Sequence, residues 1–161
     1  MNWSRSIRLF FIGSVLSGIF IFSSCNQAKV YDTYRTVDPE GWYKGDTLVF
    51  SPEISDTGHL YNFIIKVRHN TDYKYRNLYL FATTRFPGGN TTKDTLELML
   101  AKKDGEWLGR GFGAIKTTPQ MIIQRARFHS EGEYRFELRQ AMRTDSLQGI
   151  EDIGIRIEKY K

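Results

Sequence analysis

The fold is decided by stretches such as residues 60–69, which read LYNFIIKVRH. Four residues two apart in this stretch are apolar or aromatic: Tyr61, Phe63, Ile65 and Val67. The opposite side of the same stretch carries Asn62, Lys66 and Arg68, together with Leu60 and Ile64. Alternation with a period of two is typical of a β-strand with one face in the core and one in water. Residues 60–69 therefore predict a half-buried strand.

The same pattern recurs in three later stretches, residues 95–100, 134–139 and 152–158. Their apolar or aromatic positions are Leu96, Leu98 and Leu100; Tyr134, Phe136 and Leu138; and Ile153, Ile155 and Ile157. Strands that alternate in this way are typical of antiparallel sheets, in which one face is buried and the other is solvated.

Turn residues separate these stretches. The sequence PGGN at residues 87–90 lies between predicted strands at 78–86 and 94–101, and Asp104-Gly105 joins the latter to a predicted strand at 106–112. We find no sustained helical pattern beyond one possible turn at 140–147. About eight strands without crossover helices predict an all-β chain with a single antiparallel β-sandwich, of jelly-roll or Greek-key type. A small barrel is the alternative.

The N-terminus has the features of a lipoprotein signal peptide. Arg5 and Arg8 precede an apolar run at residues 9–22, which is followed by Ser23-Ser24-Cys25. The run is shorter than the about 20 residues that a membrane-spanning helix needs. Cys25 is the one cysteine of the chain, so we expect cleavage before it and attachment of diacylglycerol and an N-acyl lipid.

This interpretation divides the chain into three parts. We expect a signal peptide at residues 1–24, a lipidated tether at 25–41 that contains Pro39, and the β-sandwich domain at 42–161. The formal charge of +5 falls by two when the signal is removed, and the remaining charges of both signs are interleaved. An interleaved pattern indicates a solvated surface, so we expect no nucleic-acid partner.

No catalytic constellation is visible in the sequence. His59, His69 and His129 lie far apart, without the close spacing of metal ligands, and acylation would consume the thiol of Cys25. The G-x-G-x-G stretch at residues 109–113 is not followed by a helix pattern and is better explained as a bulged or bent strand. We therefore predict no enzyme, no catalytic or metal site, and no cofactor beyond the lipid on Cys25.

Two sets of residues suggest binding or modification. Tyr73, Tyr75 and Tyr79 lie close together and, if exposed, could stack on a sugar ring or anchor a protein partner, although aromatic residues also fill sandwich cores. Three Asp-Ser/Thr-Leu triplets offer possible O-glycosylation sites at Thr47, Thr95 and Ser146. The same triplets also suit the start of a strand.

Several segments together resemble the gliding-motility lipoprotein H (GldH-type) family. They include VRHNTDY at 67–73, RNLYLF at 76–81, GEWLG at 105–109, QAMRTDSLQGI at 140–150 and DIGIRIE at 152–158. The resemblance covers nearly the whole mature chain. It implies a lipoprotein needed for gliding, which works with the type IX secretion machinery of the envelope and has no enzymatic activity. Only Cys25 carries over with a role, as the acylation site.

The resemblance and the missing catalytic set lead to one functional hypothesis and one alternative. We expect a membrane-anchored, non-enzymatic adaptor that docks other gliding or secretion proteins through a sandwich face or a loop. Residues 26–29 lack an acidic run of the kind associated with surface display, so we expect a periplasm-facing protein, with the choice of inner or outer membrane open. The alternative is a carbohydrate-binding module of the cell envelope that uses the tyrosine cluster.

Overall fold

The structure, a computed structural model, describes residues 29–161. The predicted signal peptide and Cys25 lie outside the described residues. Within them the chain is all-β, as predicted, and forms twelve strands. These are β1 (Lys29–Thr36), β2 (Trp42–Tyr43), β3 (Leu48–Phe50), β4 (Glu53–Ile54), β5 (Tyr61–His69), β6 (Asn77–Arg85), β7 (Thr91–Met99), β8 (Lys116–Ala126), β9 (Gly132–Glu133), β10 (Arg135–Gln140), β11 (Ser146–Leu147) and β12 (Ile150–Lys159).

Eight of these strands form two antiparallel sheets. The first sheet has the order β1-β12-β5-β8 and the second has the order β3-β10-β6-β7, while β2–β11 and β4–β9 form two short ribbons. The sheets pack face to face, with the rings of Phe63 and Phe136 4.8 Å apart between their centroids. Two four-stranded sheets joined in this order form a jelly roll, so the predicted sandwich is confirmed in its jelly-roll form.

The predicted inward faces of the strands form the core. In β5 the residues Tyr61, Ile65 and Val67 are buried, and they pack in one cluster with Leu80 and Leu138 of the second sheet. All four isoleucines of β12 are also buried: Ile150, Ile153, Ile155 and Ile157. The period-two alternation thus identified the buried face of these strands correctly.

The boundary between tether and domain differs from the sequence-based expectation. Residues 29–41 were expected in the tether, yet β1 lies at the edge of the first sheet and pairs with β12 from Lys29 to Thr36. Val37, directly after β1, is buried. The outward face of β1 carries Asp32 and Tyr34, so this strand lacks the apolar alternation that revealed the others. Residues 29–37 therefore belong to the sandwich domain, and the start of the expected tether lies outside the described residues.

Two further local expectations are corrected. The predicted strand at 106–112 is a loop that makes isolated bridges, and the next strand is β8. No helical turn forms at 140–147, because the side-chain amide of Gln140 holds this bend. Its Oε1 accepts a hydrogen bond from the Met142 amide at 2.8 Å, and its Nε2 donates to the Thr144 carbonyl at 3.0 Å.

The register of the first sheet defines two ends of the sandwich. Lys29 lies opposite Glu158, which lies opposite Asn62, and the side-chain oxygen of Asn62 accepts a hydrogen bond from the Arg125 amide. We call this end, where the described chain begins, the tether end. β5 runs from there to His69 at the far end, a distance of about 26 Å at the usual rise per residue of a strand. In residues 29–161 no helix is long and apolar enough to cross a membrane.

Candidate functional site

The three histidines lie in three different environments. His59 is exposed, with its Nδ1 2.7 Å from Asp56 Oδ2, whereas His129 is exposed in the segment after β8. His69 is fully buried, and its Nδ1 lies 3.0 Å from the Asn70 carbonyl. Burial lowers the pKa of His69. Among residues 29–161, no three histidine, cysteine, aspartate or glutamate side chains lie together in a way that could hold a metal ion.

The three tyrosines of the sequence cluster do not share one exposed surface. Tyr73 is only 3% exposed; its hydroxyl donates a hydrogen bond to the Asn77 carbonyl at 2.8 Å, and burial raises the pKa of the phenol. Tyr75 and Tyr79 are exposed. Tyr73 is therefore a core residue, and only the other two tyrosines of the cluster present rings to a partner or a glycan.

A prominent exposed apolar side chain lies in the loop before β8. We call residues 108–115 the tip loop. Phe112 at its centre is 100% exposed, and Leu108 at its start is also exposed. The loop leads into Lys116, which lies opposite His69, so Phe112 is at the far end of the sandwich. The sequence shows this phenylalanine between two glycines, but its full exposure was not predicted.

Backbone hydrogen bonds close the base of the tip loop. The Arg110 amide donates to the Thr117 carbonyl at 3.1 Å, and the Thr117 amide donates to the Arg110 carbonyl at 2.8 Å. The Lys116 ammonium also donates to the Gly113 carbonyl at 3.1 Å. Gly113 has a φ of +62°, which a side chain would strain, and a Cβ at Gly111 would collide with the Ile115 carbonyl. The glycines thus allow a tight turn that presents Phe112 to solvent.

A cavity of about 800 Å³ lies between the two sheets at the tether end. Its sides are the edge strands β7 and β8. Near the far end these strands are joined by a hydrogen bond from Gln120 Nε2 to the Met99 carbonyl at 3.0 Å. Towards the tether end the facing residues of the second sheet become small, and they include Ala82 and Thr84, which leaves the space between the sheets unfilled.

The cavity walls are largely aromatic and aliphatic. Phe63 and Ile122 lie on the side of the first sheet, and Phe128 lies in the segment after β8. The Phe128 ring packs against Tyr61 and Tyr134 with centroid distances of 5.1 and 4.8 Å. The volume falls within the range of about 300–1,000 Å³ that is usual for small-molecule pockets. The cavity was not predicted, because it arises where small side chains of the second sheet face the first sheet across the sandwich.

The three glycosylation candidates differ in accessibility. Thr47 lies in the exposed loop before β3, and Thr95 is exposed on β7. Ser146 is half-buried in β11, where its hydroxyl lies against Gln148 and Gly41. Glycosylation at any of them stays a prediction.

The matching family model and the two relatives with similar sequences carry the same family name. Residues 29–157 match the family model described as GldH lipoprotein. A protein of Christiangramia forsetii, named gliding motility lipoprotein GldH homolog, is 38% identical over 148 residues, which are 88% of this chain and 90% of the relative. The gliding motility lipoprotein GldH of Flavobacterium johnsoniae is 33% identical over 152 residues, covering 90% and 93%. Among solved structures, the VP2 subviral particle of infectious bursal disease virus aligns with 83% of this chain and 31% of VP2, at a TM-score of 0.35 and 15% identity.

Proposed function

Because the chain belongs to the GldH lipoprotein family, we propose that it serves gliding motility as a non-enzymatic adaptor, anchored to the cell envelope by lipid on Cys25. The adaptor docks other envelope proteins of the gliding and type IX secretion machinery. The domain faces the periplasm, because the residues after Cys25 carry no acidic run.

The fully exposed Phe112 carries this proposal. Burying a phenylalanine side chain is worth about 1.5–3 kcal/mol, so a partner that covers this ring at the tip of a closed loop would gain that free energy on binding. The tip loop is about 26 Å from the tether end, measured along β5. A lipid at Cys25 holds the tether end at the membrane, and the tip loop then points away from it.

The charges around the tip loop indicate the chemistry of the partner. Arg110 at its base is exposed, and the ammonium of the half-buried Lys116 lies at the carbonyl of Gly113. A partner surface that fits this loop has an apolar pocket for Phe112 with acidic residues around the rim. Such complementary charges favour encounter and orientation, while the buried ring supplies affinity.

Phe112→Ala tests the proposal in cells that make the variant in place of the wild-type protein. We expect gliding to be lost or strongly reduced, while the amount of membrane-bound protein and its unfolding midpoint stay unchanged. Phe81→Ala is the matched control, since Phe81 is exposed on the outer face of the second sheet, away from the tip loop. Normal gliding with Phe112→Ala would contradict docking through this loop.

The anchor has its own test. Cys25→Ser should release the protein from membranes, because the two or three acyl chains of a mature lipoprotein hold it far more firmly than the single chain that gives reversible binding. Unchanged membrane retention would contradict acylation at Cys25. In-cell crosslinking from position 112 followed by mass spectrometry should identify the docked protein, and capture at position 81 should not.

A further inference from the structure

The cavity between β7 and β8 lies at the tether end of the sandwich, where the described chain begins. Lys29, Glu158, Asn62 and Arg125 follow one another across the first sheet at this end. Three strand spacings separate β1 from β8, about 14 Å in all. Residues 25–28 also span at most about 14 Å. This step rests on the proposed function, in which Cys25 carries the lipid. With the lipid at that residue, the cavity is held close to the membrane surface.

The rim of the cavity has the character of a lipid site. Ile123 and Phe86 line it and are exposed apolar side chains. Arg127 and His129 line it from the segment after β8, and Asp94 lines it from β7. Arg127 forms no ion pair with any residue between 29 and 161. The rim thus offers a free guanidinium for a phosphate and a carboxylate for an ammonium group, next to an apolar interior.

We propose that this cavity takes up one acyl chain of a zwitterionic phospholipid from the membrane that holds the anchor. The chain enters between Ile122 and Ala82, and the headgroup stays at the rim, with its phosphate beside Arg127 and its ammonium group beside Asp94. The apolar interior shields the methylenes of the chain from water, as the interior of the bilayer does. A bilayer phospholipid bound in this way, together with the lipid on Cys25, fixes the orientation of the domain on the membrane.

A bilayer lipid fits better than two other occupants. The protein's own acyl chain at Cys25 carries no phosphate or ammonium group near its attachment point, so the charged rim would have no partner. An extended peptide would pair with the exposed edge of β7 or β8 through main-chain hydrogen bonds, and such pairing makes no use of an apolar cavity lined by side chains such as Phe63, Phe128 and Phe136.

Photolabelling within a bilayer tests the proposal. The mature lipoprotein is reconstituted in phosphatidylethanolamine vesicles that contain a fraction of phosphatidylethanolamine with a diazirine in the middle of one acyl chain. After illumination and digestion, we expect the label on cavity-lining residues such as Ile122, Phe128 and Leu138. Labelling confined to the outer surface of the tether end, or no labelling of a correctly anchored protein, would overturn the proposal.

Two adjacent positions of β7 provide a matched pair of variants. Thr92 lines the cavity and is exposed, whereas Lys93 points to the outer face of the same strand. Thr92→Trp should reduce cavity labelling several-fold, and Lys93→Trp should leave it unchanged. Because both positions are exposed, both variants should unfold at the wild-type midpoint. Equal labelling of wild type and Thr92→Trp at equal stability would overturn the proposal.

A third measurement distinguishes the two sources of the bound acyl chain, and it also distinguishes failure of the lipid site from failure of the proposed function. If purified Cys25→Ser protein takes up palmitate while the lipidated protein accepts no bilayer label, the occupant is the protein's own acyl chain, and the bilayer source is wrong. If Cys25→Ser protein stays on the membrane, the anchor is not at Cys25 and the proposed function is wrong on that point. If a correctly anchored protein is not labelled, only the proposed lipid site is wrong. The gliding test with Phe112→Ala depends on neither result.

Discussion

Gly154 of β12 lies directly under the ring of Tyr34 of β1, such that a Cβ at position 154 would come within 2.8 Å of two carbons of that ring. The Lys66 ammonium lies 4.1 Å from the centroid of the same ring and pairs with Asp32 of β1. Burial alone would raise the pKa of Asp32, but the hydrogen bond and charge of Lys66 outweigh it and lower the pKa. A close aromatic contact and a largely buried ion pair thus hold the polar edge strand β1 on the first sheet.

This contact predicts that Gly154→Ala destabilises the domain. The new methyl group would push the Tyr34 ring away from Lys66, and such overpacking costs about 1–3 kcal/mol. Urea unfolding followed by circular dichroism measures the loss. Gly45→Ala is the control, because no atom lies within 4 Å of a Cβ at that position. Equal stability of the two variants would show that the ring moves without cost.

We expect the domain to lose stability in weak acid because His69 is buried. Its side chain is 0% exposed, and Nε2 has no hydrogen-bond partner in the described residues. The centroid of its ring lies 4.5 Å from the ring centroid of Trp107. Burial lowers its pKa in the folded state, whereas an unfolded histidine titrates near 6.5. As the pH falls below about 6.5, the unfolded chain therefore gains a proton that the folded chain does not accept, and stability decreases until the folded-state pKa is reached.

The urea midpoint at pH 7.5 and at pH 5 measures this effect. We expect His69→Phe to reduce the pH dependence, since phenylalanine keeps an aromatic ring against Trp107 but does not titrate. His129→Gln is the control, because His129 is exposed in the segment after β8. A wild-type midpoint that is the same at both pH values would contradict the prediction.

The sequence predicted those strands whose inward faces are continuously apolar. In β5 the inward residues Tyr61, Ile65 and Val67 are buried, and in β12 so are Ile153, Ile155 and Ile157, so the period-two pattern is clear. β8 was not predicted because the consecutive apolar residues Met121, Ile122 and Ile123 interrupt the period-two alternation, and in the structure this part of β8 pairs with β5 through register shifts. β1 was not predicted because only Tyr31 of this strand packs against the core, and the contact of the Tyr34 ring with Gly154 and Lys66 supplies much of its remaining packing.

The candidate sites were less predictable than the fold, for a different physical reason. Exposure of Phe112 and burial of Tyr73 depend on how a loop folds back, which local sequence does not determine. The cavity depends on volumes contributed by both sheets, where Ala82 and Thr84 face the side that carries Ile122. No single segment of the sequence carries that information.

Accessibility predicts which triplet is glycosylated. A transferase must reach the hydroxyl group, so we expect a glycan on Thr47 or Thr95 and none on Ser146, whose hydroxyl is enclosed by Gly41 and Gln148. Intact-mass measurement of the native lipoprotein, followed by peptide mapping, checks this. A mass that equals protein plus lipid would exclude glycosylation, and a glycan on Ser146 would show that the β2–β11 ribbon opens before modification.

We expect a second loss of stability of the domain in strong acid, because of the interactions of Asp56. Its Oδ2 accepts a hydrogen bond from the Lys159 ammonium at 2.6 Å, and its Oδ1 accepts one from the Gly58 amide at 2.9 Å. These interactions, led by the one from Lys159, lower the pKa of Asp56 from 3.8 to about 2. The unfolded chain thus binds a proton at higher pH than the folded one. The stabilisation is complete above about pH 4 and is lost as the pH falls towards 2.

Asp56→Asn separates this carboxylate from the others that titrate in acid. We expect the variant to be less stable than wild type at neutral pH and to show a smaller further loss between pH 4 and pH 2, since it has no proton to bind there. Asp46→Asn, at an exposed position in the loop before β3, should keep the wild-type slope. Urea midpoints measured in half-unit steps of pH give the slopes. If Asp56→Asn keeps the wild-type slope over this interval, the Asp56–Lys159 pair does not link pH to folding, because a carboxylate that stabilises only the folded state must contribute a proton difference there.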